Sequence, residues 1–106
     1  MSKIDRVRAT LAGKRVDWPP FSIWYHFGNQ HASPEWTAKA HLDFFEAYDL
    51  DFLKVMNDYD YPLPDGMEVM ATPDDLERLC PLDLTRIPLG RQLQAIEIIA
   101  KSLNGK

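Results

Sequence analysis

Between Pro20 and Asp58 the chain reads as an apolar run, a capped amphipathic stretch and a second apolar run, and this order constrains the fold more than any other feature. Phe21-Ser-Ile-Trp-Tyr-His26 is rich in aromatic residues, about six residues long and closed by Phe27-Gly28-Asn29, which predicts a strand ending in a sharp turn. Ser33-Pro34-Glu35 supplies an N-cap, a first-turn proline and an acid favoured by the helix dipole. The helix it starts is predicted to run to about Tyr48, with Trp36, Ala40, Phe44 and Ala47 on one face and Leu42, Phe45 and Tyr48 widening it. Phe52-Leu-Lys-Val-Met-Asn57 is almost continuously apolar, as suits a strand buried on both faces. Strand, helix and strand in this order predict two parallel strands joined by a right-handed crossover.

The flanks fit around that unit. Ile4, Val7, Ala9 and Leu11 fall near helical spacing, with Ser2 as N-cap and Gly13 as stop, so a short amphipathic helix is predicted over residues 3–12. Val16-Asp-Trp-Pro-Pro20 cannot continue it. Beyond the second strand, Tyr59–Gly66 is a loop by composition and Met67–Met70 a brief extended piece. Thr72-Pro73-Asp74-Asp75 starts a short helix through Leu79, and Leu89, Leu93, Ile96, Ile99 or Ala100, and Leu103 trace a last helical stripe ending at Asn104-Gly105. No repeat, low-complexity tract or linker divides residues 1–106. The expected class is α/β, a parallel sheet covered by helices. Two strands do not make a stable parallel sheet alone, so the expectation is the opening section of a longer α/β protein.

Composition narrows the function classes. A hydrophobic content of 45% and a charged content of 26% are ordinary for a soluble globular protein, and no apolar run approaches the roughly 20 residues of a membrane helix. The N-terminus lacks the apolar core of a secretory signal and the Arg/Ser bias of a transit peptide, so a cytoplasmic protein without membrane partners is expected. Twelve basic against sixteen acidic residues leave a net charge of −4, with the basic residues scattered beyond the first fifteen positions. Nucleic acid, which wants a concentrated basic face, is not an expected partner. The single Cys80 excludes an internal disulfide and a Cys-rich zinc site, and reads as a small buried hydrophobe.

Asp58 is the candidate for chemistry. It ends the second predicted strand, and the carboxyl end of a parallel strand is where α/β proteins hold reactive groups rigidly beside a pocket-forming loop. A strand-ending Asp also caps turns, which is its alternative role. His26 and Asn29 end the first predicted strand, and Tyr59 and Tyr61 flank Asp60 in the loop after Asp58, so these four are candidates to line a ligand pocket. Among His26, His31 and His41 only the first two can converge, and no local pattern completes a metal site. Asp60 and Asp65 lack the Gly and Glu spacing of a calcium loop and are better explained by turn formation.

Four ordered pieces resemble the N-terminal section of the uroporphyrinogen decarboxylase superfamily: Arg6-Val7-Arg8 through Gly13 with Val16-Asp17, Pro20-Phe-Ser-Ile-Trp24, Pro34-Glu35-Trp36, and Asp51 through Asp58. The resemblance implies the first two β/α units of a TIM-type (β/α)8 barrel, truncated after its second helical layer and preceded by an N-terminal helix. It implies cofactor-free decarboxylation of a porphyrinogen-like tetrapyrrole in the full-length parent, with Asp58 stabilising the protonated pyrrole and no metal. The family's decarboxylases carry an Arg-Gln-Ala-Gly-Arg motif at the end of the first strand, where this chain reads His26-Phe27-Gly28-Asn29-Gln30-His31 without arginine. A multiply charged carboxylate substrate wants forked cationic donors. A second branch of the superfamily, the zinc-dependent, cobamide-linked methyltransferases, therefore stays open. So does a third outcome, an inert fragment whose exposed apolar faces associate with copies of itself as a homo-oligomer.

Overall fold

A computed structural model describes residues 1–106 and contains three α-helices, α1 (Lys3–Leu11), α2 (Pro34–Ala47) and α3 (Gly90–Ser102), plus a short 3-10 helix at Pro73–Arg78. The helix starts follow the capping chemistry of the sequence. Ser2 accepts from the Asp5 amide and Ser33 from the Trp36 amide, while Asp5 and Glu35 occupy the electropositive first turns. At the 3-10 helix the Asp75 carboxylate accepts from the Ala71 and Thr72 amides at 2.8 and 3.0 Å.

The end of α2 sets the rest of the fold. Asp49 takes the left-handed conformation at φ 49°, its amide donates to the Glu46 carbonyl, and the Leu50 amide donates to Phe45. This is a Schellman termination, and its apolar contact buries Phe45 and Leu50 in the core. The turn places Asp51 beside the buried Arg6 of α1.

The core lies where α2 and α3 pack together and where Leu50 and Tyr59 meet them: Ala38, Phe45, Leu50, Tyr59, Ala95 and Ile99 are buried. The buried faces keep Phe45 and Ile99 from those predicted but are otherwise rotated. On α2 they are Thr37, Ala38, His41 and Phe45, whereas Trp36 is 60% exposed; on α3 they are Gln92, Ala95 and Ile99, whereas Leu93 and Ile96 face outward. The radius of gyration is 17.8 Å, against about 13 Å for a compact chain of this length. Much aromatic surface consequently stays uncovered, including Trp18, Phe21, Trp24 and Tyr25.

The predicted α/β class is not what forms. There is no strand and no sheet, so the chain does not make two β/α units of a TIM barrel, and Phe21–His26 and Phe52–Asn57 are irregular segments. They do run alongside one another in the same direction, touching at Phe21 with Asp51, Trp24 with Lys54 and His26 with Asp58. Only one backbone bond joins them, from the Asp51 amide to the Phe21 carbonyl at 3.1 Å.

Side chains take the place of the missing ladder. His41 on α2 donates from Nδ1 to the Thr37 carbonyl at 2.8 Å, which fixes Nε2 as the acceptor of the Met56 amide at 3.2 Å. From α3, Gln92 donates to the Met56 carbonyl at 3.1 Å. Both backbone groups of Met56 are thereby satisfied by helix side chains, and a neighbouring strand is not needed to satisfy them. A buried N–H left unpaired there would cost about 1–3 kcal/mol. Parallel pairing between two isolated strands offers little in competition.

At the start of the segments the clamp is ionic. Arg6 grips Asp17 with two parallel bonds, Nε to Oδ1 at 2.8 Å and Nη2 to Oδ2 at 2.9 Å, and reaches Asp51 Oδ1 through Nη1. Asp51 Oδ2 in turn accepts from the Phe21 amide at 3.0 Å. The guanidinium also lies 3.8 Å from the Trp18 ring centroid, a cation–π contact. Beside this guanidinium the Asp17 carboxyl is held far below the usual carboxylate range, against the opposing effect of its desolvation.

Candidate functional site

At the other end of the paired segments His26 and Asp58 meet. His26 Nδ1 lies 2.6 Å from Asp58 Oδ1, with the carboxylate largely buried and the imidazole more than half exposed. Their meeting is built locally. Gly28, at φ 69°, turns the chain so that the amides of Gly28 and Asn29 face the carboxylate, and the Asn29 amide lies 3.4 Å from Oδ2. Consecutive amides turned to one side form a small anion-holding concavity. Asn57 fixes the other partner: its side chain accepts from the Tyr59 amide at 3.1 Å and donates to the Tyr59 carbonyl at 3.2 Å, bracketing Asp58.

The electrostatics follow from these contacts. Burial works to raise the Asp58 pKa, but the His26 hydrogen bond, the Asn29 and Gly28 amides and the charge of His26 outweigh it, holding the carboxyl below its ordinary value. An ionised, largely buried Asp58 orients the exposed ring through Nδ1, and no hydrogen bond within the chain engages the second ring nitrogen. This is the arrangement in which a carboxylate supports a histidine that gives or takes a proton. Trp24 stands edge-on to the His26 ring at 5.6 Å between centroids, with the Lys54 ammonium 4.6 Å from the indole centroid.

The other candidates divide. Asn29 joins the site through its backbone amide, and its side-chain Nδ2 is buried without a partner. Tyr59 is a core residue whose hydroxyl is buried without a partner. Tyr61 is exposed and its hydroxyl lies 3.5 Å from the Cys80 carbonyl, beside Pro62 and Leu79, while Cys80 itself is exposed instead of buried. His41 is committed to the backbone of Thr37 and Met56, and no group of three or more His, Cys, Asp or Glu side chains is placed to hold a metal ion.

The sequence did not point to Asn57, Gln92 or the Arg6–Asp17–Asp51 cluster. Asn57 carried a signal in the Asn-Asp-Tyr order typical of a side chain closing its own turn. The Arg6 partners lie 11 and 45 residues away, a separation with no local pattern to reveal it. No helix is long and apolar enough to cross a membrane. Comparison of the chain with protein-family models, with curated proteins and with solved structures finds no match.

Proposed function

We propose that His26 and Asp58 form a proton-transfer and charge-stabilising pair for a porphyrinogen-like tetrapyrrole, serving the cofactor-free decarboxylation of the uroporphyrinogen decarboxylase superfamily that the sequence resembles. The support is the 2.6 Å contact between a largely buried carboxylate and an exposed imidazole, and owes nothing to a barrel. Decarboxylation of an acetate side chain on a pyrrole needs a proton delivered to a ring carbon, and positive charge stabilised while the carbon–carboxylate bond breaks and its electron pair forms a ring–methylene double bond as carbon dioxide leaves. A proton is then placed on the methylene carbon as the ring proton is given back. An imidazole held by an ionised carboxylate can deliver the proton, and the carboxylate stabilises the charge. The exposed indole of Trp24 beside His26 offers a stacking face for a flat macrocycle.

The test is binding of coproporphyrin, followed by quenching of tryptophan emission, in the native chain and in Asp58→Asn and His26→Gln. Each substitution is expected to weaken binding about tenfold or more, the loss of one hydrogen bond to a charged group. Equal affinity in all three proteins would end the proposal.

A further inference from the structure

A groove of about 640 Å³ opens where α2 and α3 begin, walled by Pro34, Leu84, Ile87 and Leu93 and carrying two arginines, Arg86 and Arg91. No Asp or Glu lines it, in a chain where acids outnumber bases sixteen to twelve. Arg91 takes part in none of the chain's ion pairs, and Arg86 has a single exposed contact, Nε to Asp83 at 3.4 Å. Arg91 sits in the first turn of α3, where the helix dipole disfavours a cation and where no acid compensates it. The first-turn amides are already engaged: Gly90, Arg91 and Gln92 donate to the carbonyls of Ile87, Pro88 and Leu89. What the groove offers an anion is thus the two guanidinium groups that line it.

The loop bearing Arg86 is held against the helix by a close approach. A side chain at Gly90 would place its first carbon 1.9 Å from the Leu84 carbonyl oxygen, so glycine is what lets residues 84–88 fold back onto α3. Asp83 completes the loop by accepting from the Thr85 amide and hydroxyl at 3.0 and 2.6 Å.

We infer that this groove binds a small molecule with an apolar body and an anionic head, a phosphate or carboxylate held between Arg86 and Arg91. Forked guanidinium donors suit such heads, and the volume falls within the range of small-molecule sites. The inference is independent of the His26–Asp58 pair.

Phenyl phosphate and phenylacetate, titrated separately at constant ionic strength and followed by backbone amide shifts of Thr85–Gln94, test it and tell the two heads apart. Saturable shifts with at least one probe are expected, weakened about tenfold or more in Arg91→Gln and in Arg86→Gln, both at exposed positions. Asp83→Asn, which keeps the oxygen that Thr85 uses but removes the charge competing for Arg86, is expected to tighten binding a few-fold. Arg8→Gln, on α1, is expected to change nothing. Shifts that stay linear in probe concentration, or saturation unaltered in the Arg86→Gln/Arg91→Gln double variant, would overturn the inference.

Discussion

Arg6→Lys is expected to lower the melting temperature by about 10 °C or more, although charge is conserved. The guanidinium spans two carboxylates at once, gripping Asp17 with a parallel pair of bonds while reaching Asp51, and it also donates to the Met1 carbonyl at 3.0 Å. An ammonium is a point donor and cannot reproduce the fork. Asp51, itself buried, would be left with an incomplete set of partners, and a buried charge that loses its partner is strongly destabilising. Because Asp51 also fixes Phe21 through two bonds, the loss would spread into the paired segments and loosen His26 from Asp58. Thermal unfolding followed by circular dichroism, together with the His26 ring shifts, measures both effects. Unaltered melting in Arg6→Lys would mean that the cluster contributes little to the fold.

Acidification gives the second large effect. Asp17 and Asp58 both have pKa values in the folded chain below the ordinary carboxylate value of 3.8. Folding therefore favours their ionised forms, and the stability they contribute is fully present above pH 3.8. It is lost as the pH falls from 3.8 through the lowered folded values, where the folded chain must also take up protons. The melting temperature is expected to fall steeply below about pH 4. In Arg6→Leu the largest part of the Asp17 contribution is removed, leaving the Trp18 amide and the N-terminal ammonium, so the native chain should lose more on acidification than this variant does. Parallel acid titrations of the two proteins decide the point, and identical slopes would count against the account.

The helices were legible because their signals are local. Ser2 and Ser33 act on amides three residues away, and Pro34 and Glu35 sit in the turn they stabilise. The run Phe21–His26 was misread as a strand for a related reason. Aromatic and β-branched composition reports a preference for extended chain but says nothing about which group will pair with each amide. In this fold that choice falls to His41 and Gln92, which capture Met56 from helices 15 and 36 residues away. Their burial also explains the rotated helix faces, since two polar residues that look solvent-facing by composition point inward to meet backbone. The end of α2 near Tyr48 was legible, but the way it closes was not, because Asp49, not glycine, adopts the left-handed turn. Of the site, Asp58 and His26 were visible as individual residues, and their pairing depended on a register that no single segment encodes.

Amide hydrogen exchange across residues 21–29 and 51–59 tests most directly whether side-chain clamps, in place of a strand ladder, bring His26 to Asp58. Protection is expected at Phe21, Asp51, Met56 and Tyr59, whose amides have acceptors, with rapid exchange at Ile23, Tyr25, Phe52 and Lys54, which have none. Protection at alternate residues along both segments would show a paired ladder and contradict the account.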